Sequence, residues 1–107
     1  MKIVLAGAYG HLGGDILNAL ESKGHDIVAL DFSERPIEFT GNGSVTFRSC
    51  DVTKKEMLAG LCDGADMVIS TVGLTKASKE VTSYDIDLNG NLNILEEAKK
   101  AGVPKFV

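Results

Sequence analysis

Apolar residues along this chain fall into short runs that alternate with segments of helical spacing, the pattern of an α/β fold. The first run is Ile3-Val4-Leu5-Ala6, and a glycine-rich turn follows it. After the turn, Leu12, Ile16 and Leu20 are four residues apart, which predicts a helix with these side chains on its apolar face. A second apolar run at 25–31 predicts a second buried strand, so the chain begins strand, helix, strand.

The middle of the chain continues this alternation. Apolar runs at 45–48 and 65–73 predict a third and a fourth strand. The fourth is apolar on both faces, as expected of a central strand in a parallel sheet. Residues 32–44 contain one proline and two glycines and are predicted to form a loop, so no helix is expected between the second and third strands.

Two further helices are predicted in the second half. Thr53 and Glu56 have the spacing of a capping box, which indicates a short helix that ends near Gly64. A longer helix is predicted over 84–102, and residues 105–107 begin a fifth strand. The apolar face of the long helix is predicted to consist of Leu88, Leu92, Leu95 and Ala98.

The turn between the first strand and the first helix is the main candidate site. Its sequence at 7–13 is Gly-Ala-Tyr-Gly-His-Leu-Gly. Gly7 can take a backbone conformation that a Cβ hinders, Gly10 lets backbone N–H groups approach a pyrophosphate, and Gly13 lets the helix pack closely on the strands. Phosphates would lie at the helix N-terminus. A purely structural glycine turn is the alternative, and a Walker A loop is excluded because no Gly-Lys-Ser/Thr follows.

This turn resembles the GxxGxxG turn of the extended and atypical short-chain dehydrogenase/reductases. That superfamily includes NAD-dependent epimerases and dehydratases and the NmrA-like and isoflavone-reductase-like proteins. The resemblance implies a Rossmann-type, doubly wound parallel sheet with strand order 3-2-1-4-5 and a bound nicotinamide dinucleotide. The cofactor contacts that it implies in the turn are Gly7, Ala8, Tyr9, Gly10, His11, Leu12 and Gly13.

The end of the second strand bears on cofactor choice. Asp31 follows Gly13 by 18 residues, the approximate spacing of the acidic residue that accepts hydrogen bonds from the adenosine ribose. A carboxylate there favours NAD and repels the 2′-phosphate of NADP. Arg35 acts in the opposite direction, since a guanidinium in this loop could pair with that phosphate. We expect NAD, with NADP as the alternative, and include Phe32 among the cofactor contacts.

Two later segments resemble cofactor-binding parts of the same superfamily. An Asp followed by an apolar residue after the third strand contacts adenine in these proteins, a role that the resemblance gives to Asp51 and Val52. Asp51 can also be simply a helix-entry residue. At the end of the fourth strand, Thr71, Val72 and Gly73 are expected beside the ribose and pyrophosphate. The sequence around them resembles isoflavone-reductase-like and NmrA-like members more than epimerases.

The superfamily's catalytic Tyr-x-x-x-Lys pair is absent from this chain, because Tyr9 is followed four residues later by Gly13 and Tyr84 by Leu88. We therefore assign no catalytic residue and interpret residues 1–107 as one dinucleotide-binding domain, expected to be the N-terminal part of a longer protein. That protein is an oxidoreductase or epimerase with a small-molecule substrate, or alternatively a non-catalytic NAD(P) sensor of the NmrA-like type. A fold relic without nucleotide is a third option, and a homodimer is possible.

Composition narrows the functional classes. The net charge of −4 argues against a nucleic-acid surface, and 44% hydrophobic residues suffice for a core. No apolar run approaches the roughly 20 residues that cross a bilayer. Cys50 and Cys62 lack the spacing of metal ligands or of a disulfide framework, so we expect reduced thiols, no metal and a cytoplasmic location.

Overall fold

The computed structural model of the chain describes residues 1–72 and 81–107. Strands and helices alternate along it as the apolar pattern predicts. The elements, in chain order, are β1 (Lys2–Ala6), α1 (His11–Ser22), β2 (Asp26–Asp31), β3 (Ser44–Ser49), α2 (Lys55–Leu58), β4 (Met67–Ser70) and α3 (Val81–Lys100). The segment between β2 and β3 contains no helix, as its proline and glycines predict.

The four strands form one parallel sheet in the order β3-β2-β1-β4, which confirms the predicted order for these strands. Ala6 at the end of β1 is in register with Leu30 of β2 and Ser70 of β4, and Asp31 of β2 with Ser49 of β3. The carboxyl ends of all four strands therefore meet at one edge of the sheet. This edge is where open α/β sheets bind their ligands.

The predicted fifth strand is represented by a single parallel bridge between Val68 and Phe106. The N–H of Val107 donates to the Val68 carbonyl at 2.9 Å, and the N–H of Ser70 donates to the Val107 carbonyl at 3.0 Å. These bonds place residues 105–107 beside β4, the position expected of a fifth strand. A full strand there stays a prediction.

Helices cover both faces of the sheet, which is the doubly wound arrangement. Alternate residues of β1 point to opposite faces, so Val4 and Ala6 join one core and Leu5 joins the other. The first core includes residues of α2 and α3, and its members are Val4, Ala6, Leu30, Cys50, Leu58, Cys62, Ala65, Val68, Ile94 and Ala98. The second includes α1, and its members are Leu5, Ala8, Tyr9, Leu17, Ile27 and Ala29.

The apolar face predicted for α1 is wrong at Leu12 and confirmed in part at Ile16 and Leu20, which pack against the second core. Leu12 is 46% exposed, and the side chains of Ile16 and Leu20 are only partly buried. The buried positions of α1 are Gly13, Gly14, Leu17 and Glu21. Because glycines let a helix approach the sheet more closely than leucines do, the glycine face is turned inward and the leucine row lies at its margin.

The apolar face predicted for α3 is confirmed at Ala98 and wrong at Leu92. Leu92 is 51% exposed, whereas Gly90, Ile94 and Ala98 are buried. The side chain of Leu88 lies outside the described residues. The buried residues are again four positions apart, but one of them is a glycine. A pattern of large apolar side chains does not include it.

The capping box predicted from Thr53 and Glu56 is also wrong. The helix α2 begins at Lys55, its N-cap is Lys54, and no side chain caps it. Thr53 precedes this N-cap, and its hydroxyl donates instead to Asp51 Oδ1 at 2.6 Å. The helix ends at Leu58, earlier than predicted.

Candidate functional site

The glycine turn after β1 is hydrogen-bonded to β2 and across itself. The N–H of Gly7 donates to the Leu30 carbonyl at 2.9 Å, and the N–H of Gly10 donates to the Gly7 carbonyl at 3.2 Å. Gly7 has φ +75°, a conformation that only glycine adopts readily. A Cβ on Gly13 would collide with the Gly7 carbonyl oxygen. The fold itself therefore requires Gly7 and Gly13.

Gly10 is different from these two glycines. It is the N-cap of α1, with φ −74° and ψ 179°, an extended conformation open to any residue. Its backbone conformation therefore does not require glycine. No side chain caps α1 here and its first turn contains no acidic residue. The first N–H groups of the helix, which have no partner within it, form a region of positive potential at the edge of the sheet.

Asp31, at the end of β2, reaches back to this turn. Its Oδ2 accepts a hydrogen bond from the Tyr9 N–H at 3.0 Å, and its Oδ1 accepts one from the Phe32 N–H at 2.8 Å. Each carboxylate oxygen has two lone pairs, so both oxygens can accept a further bond from a ligand. Phe32 itself is 69% exposed beside the carboxylate.

Arg35 is bound to the same turn. Its Nε donates to the Tyr9 carbonyl at 2.7 Å, and one of its terminal nitrogens donates to the Gly10 carbonyl at 3.1 Å. The sequence predicts a guanidinium in this loop that could pair with a phosphate. In the structure the guanidinium is exposed to solvent but anchored on two backbone carbonyls.

The Tyr9 ring points into the sheet, away from the turn. It is 8% exposed and packs edge-on against Phe47, with 5.8 Å between the ring centroids. Burial, followed by the negative charges of Glu34 and Asp31, raises the pKa of the Tyr9 hydroxyl. Ala8 is likewise buried, and its N–H donates to the Leu30 carbonyl at 3.2 Å. Both residues therefore offer a ligand backbone groups at most.

Thr71, after β4, closes the inner side of the turn. It is 5% exposed, and its hydroxyl lies 3.0 Å from both the Ala6 and the Gly7 carbonyl oxygens, to which it can donate. A Cβ on Gly7 would collide with this hydroxyl. The threonine thus packs against the glycine turn, and its hydroxyl bonds β1 to the segment after β4.

Asp51 and Val52 follow β3 at the same edge. Hydrogen bonds from the Thr53 hydroxyl and then the Thr53 N–H hold the pKa of Asp51 below its usual range. Val52 lies against α3, since a Cβ on Gly90 would come within 2.6 Å of Val52 Cγ2 and 3.8 Å of Val72 Cγ1. The two predicted apolar contacts therefore flank one buried glycine of α3.

Two asparagines of α3, which the sequence analysis did not identify, hold these loops. The Asn93 amide donates to the Val52 carbonyl at 3.0 Å. The Asn91 amide donates to the Val72 carbonyl at 3.1 Å, and Asn91 Oδ1 accepts from the Ser70 hydroxyl. In the sequence, only their position near Gly90, on one turn of the helix, indicates that both could bond to neighbouring loops.

Most of the predicted site residues therefore lie together at one edge of the sheet. His11 and Leu12 are exposed on the first turn of α1. Gly73 lies outside the described residues. Among the residues that are described, no three His, Cys, Asp or Glu are grouped as metal ligands, and none of the helices is long and apolar enough to cross a membrane. Both cysteines are buried free thiols.

Comparison with known proteins agrees with this fold. Residues 3–107 match the NAD dependent epimerase/dehydratase family. The chain is 30% identical over 107 residues, its whole length, to the photosystem II assembly factor Ycf39 of Synechocystis, and it spans 32% of that protein. It is also 30% identical over 120 aligned positions to a UDP-glucose 4-epimerase of Klebsiella pneumoniae, covering all of this chain and 86% of that sequence.

Solved structures show the same fold. A UDP-glucose 4-epimerase from Bifidobacterium longum in complex with NAD+ and UDP superimposes with a TM-score of 0.80 at 22% identity, over 99% of this chain and 36% of the epimerase. The chain spans 32%, 39% and 30% of the lengths of three curated relatives that it matches. Because the family match extends over nearly all its residues, the chain belongs to the NAD-dependent epimerase/dehydratase family.

Proposed function

We propose that this chain binds a nicotinamide dinucleotide with its pyrophosphate at the N-terminus of α1. The N–H groups of that helix suit an anion, because no side chain caps them and the first turn contains no acidic residue. The family, and the NAD+ bound to a UDP-glucose 4-epimerase of the same fold, support this cofactor class. When bound, a nicotinamide ring supplies hydride transfer.

The observation that carries this proposal is the contrast among the three glycines. Gly7 and Gly13 are required by the fold, whereas the backbone of Gly10 would accept any residue. A ligand that approaches the backbone closely gives a reason for glycine at this position.

The matching experiment is Gly10→Val. The valine should remove NAD binding, because its methyl groups occupy the space of the pyrophosphate, while thermal unfolding stays cooperative. Calorimetric titration with NAD measures the affinity, and circular dichroism checks the fold. Ala19→Val is the control, since it adds the same two methyl groups to an exposed position of α1 away from the turn. Equal NAD affinity in wild type and Gly10→Val would contradict the proposal.

We propose NAD rather than NADP as the preferred cofactor. The two oxygens of Asp31 already hold backbone N–H groups, yet each can accept one more bond from a ribose hydroxyl. NADP replaces one hydroxyl by a phosphate, so a hydrogen bond is lost and two negative charges face each other. A bond to a charged group is worth about 1.5–3 kcal/mol, which corresponds to about tenfold to a hundredfold in affinity.

The cofactor preference is tested with Asp31→Ser. Serine removes the repulsion and shortens the acceptor, so the NAD to NADP affinity ratio should fall by about tenfold or more. Competition titrations with both nucleotides give this ratio directly. Asp15→Ser is the matched control, because Asp15 is exposed on α1 and its loss changes net charge equally. Tighter binding of NADP than NAD by the unmodified chain would overturn the assignment.

For the whole protein we propose an oxidoreductase or epimerase that acts on a small molecule. The residues of this chain bind and orient the cofactor, and the proton-transfer groups are not among them. A non-catalytic nucleotide sensor is the second candidate, since one relative at 30% identity is named for the assembly of photosystem II and not for a reaction. Hydride transfer between bound cofactor and a carbonyl or sugar-nucleotide substrate by the complete protein would support the enzyme. Nucleotide binding without any turnover would support the sensor.

A further inference from the structure

The guanidinium of Arg35 lies on the first turn of α1, in space that a side chain on the helix would fill. A Cβ on Gly14 would come within 2.5 Å of an Arg35 terminal nitrogen. The same guanidinium donates to the carbonyls of Tyr9 and Gly10 at 2.7 and 3.1 Å. Gly14 is therefore the position that leaves room for Arg35 to reach these carbonyls.

The peptide groups that Arg35 contacts are those that lead into the helix. A peptide group is planar and trans, so the direction of its carbonyl determines the direction of its N–H. The Gly10 carbonyl shares a peptide plane with the His11 N–H, the first N–H of α1. Asp31 holds the peptide on the other side of Tyr9 through the Tyr9 N–H at 3.0 Å. Charged side chains therefore hold the turn between Gly7 and Gly10 from both sides.

We propose that Arg35 is a positioning residue, which holds the Gly10–His11 peptide so that its N–H faces the cofactor pyrophosphate. This inference rests on the proposed cofactor site. NAD and NADP share the pyrophosphate, so Arg35 strengthens the binding of both and does not select between them. The sequence predicts that Arg35 favours NADP and so acts against Asp31. In the role proposed here, both side chains hold the turn and neither acts against the other.

Arg35→Met tests this role by removing both hydrogen bonds while keeping most of the side-chain volume. We expect the affinities for NAD and NADP to fall together by about tenfold, with their ratio constant within about twofold. Arg35→Lys should recover part of the loss, because an ammonium can reach one carbonyl but lacks the planar fork. Arg48→Met is the matched control for charge, since Arg48 is exposed on β3. A loss confined to NADP, or no loss, would overturn the proposal.

Gly14→Ala displaces the guanidinium without removing it. The obstacle to the new Cβ is the flexible end of Arg35, and alanine favours a helix over glycine, so thermal stability should be equal or higher. Affinity for both nucleotides should nevertheless fall. In the Arg35→Met background, Gly14→Ala should cause no further loss, because both changes break the same contact. Independent, additive losses would contradict the proposed contact.

A measurement on the free chain separates this inference from the proposed function. The N–H groups of Gly10 and Gly14 bond to the Gly7 and Gly10 carbonyls at 3.2 and 2.8 Å. Their hydrogen exchange should accelerate in Arg35→Met and stay unchanged in Arg48→Met. If the wild-type chain binds neither nucleotide, the proposed function fails, and unchanged exchange in Arg35→Met would overturn the positioning role by itself.

Discussion

The glycine turn after β1 and the loops after β3 and β4 lie at the same edge of the sheet but are held in different ways. In the turn, the backbone conformation and packing require residues without side chains, since Gly7 has φ +75° and Gly13 packs on the Gly7 carbonyl. In the loops, side chains of a distant helix are decisive, since Asn93 and Asn91 donate to loop carbonyls at 3.0 and 3.1 Å. In one half of the site the backbone packs on glycines of the turn itself, with further bonds from Asp31 and Arg35, and the other half depends on the docking of α3.

This difference determines how each half responds to mutation. A clash between two backbone segments cannot be relieved by a rotamer change, so a side chain in the turn must displace the helix or the strand. A carbonyl that loses an asparagine can instead be solvated, because these contacts are only partly buried. Changes in the turn should therefore be more severe than changes in the asparagines.

The largest expected effect is that of Gly13→Ala. Its new Cβ would collide with the Gly7 carbonyl oxygen, and we expect the free energy of unfolding to fall by more than about 3 kcal/mol. Gly14→Ala is a close control, because it makes the same change one residue later and meets only the end of a flexible arginine. Urea denaturation of both variants gives the comparison. Equal stabilities of the two would show that the turn is not held by this packing.

A smaller effect is expected from Asn93→Ala, which removes the bond to the Val52 carbonyl. We expect a loss of about 1–2 kcal/mol in the free energy of unfolding, the range for a hydrogen bond whose partner is partly left unpaired. Leu92→Ala, at a 51% exposed position of the same helix, should change it by less than about 0.5 kcal/mol. A loss in Asn93→Ala no larger than in Leu92→Ala would mean that α3 does not hold the loop through this amide.

The same contrast explains what the sequence could predict. The strands and the glycine turn depend on local patterns that can be counted along the chain, and the order of β3, β2, β1 and β4 is implied by the superfamily that the turn resembles. The buried face of α1 could not be obtained from the apolar period, because Gly13 and Gly14 determine how closely the helix packs. The capping box failed because the helix begins two residues beyond Thr53, whose hydroxyl bonds to Asp51.

Contacts between distant segments could not be predicted, because no residue type or spacing in the sequence indicates them. The sequence predicts Arg35 only as a positive charge near a phosphate, whereas its observed hydrogen-bond partners are two carbonyls of the turn. The asparagines of α3 were not distinguished from other polar residues on a helix. In both cases a side chain bonds to backbone, and any residue type can supply the carbonyl. The cofactor roles of the individual site residues stay predictions.

A third segment extends the comparison, because the loop before β3 is held by a buried charge. Glu21 of α1 is 1% exposed. Its carboxylate accepts hydrogen bonds from the Thr40 N–H at 2.7 Å, the Thr40 hydroxyl at 2.8 Å and the Gly43 N–H at 2.9 Å. These donors, with the Gly43 N–H the largest contributor, hold the pKa of Glu21 below its ordinary value of 4.5. We therefore expect this loop to respond to pH through Glu21, whereas an asparagine amide does not titrate.

The last prediction tests that distinction through the pH dependence of stability. In the unfolded chain Glu21 titrates near its ordinary pKa of 4.5, and in the folded chain it titrates lower. Between the two values the unfolded state binds more protons, so acid favours unfolding. The contribution of Glu21 is fully present above pH 4.5 and is lost as the pH falls through the lowered folded pKa.

Glu21→Gln should therefore be less stable than wild type at pH 7, because an amide presents one acceptor where the carboxylate presents two. The difference in unfolding free energy should shrink as the pH falls below 4.5, since wild type then loses its charge as well. Urea denaturation from pH 7 to pH 3 measures both curves. Glu38→Gln, at an exposed position of the same loop, should follow wild type throughout. A Glu21→Gln curve parallel to wild type across this range would show that the carboxylate charge does not hold the loop.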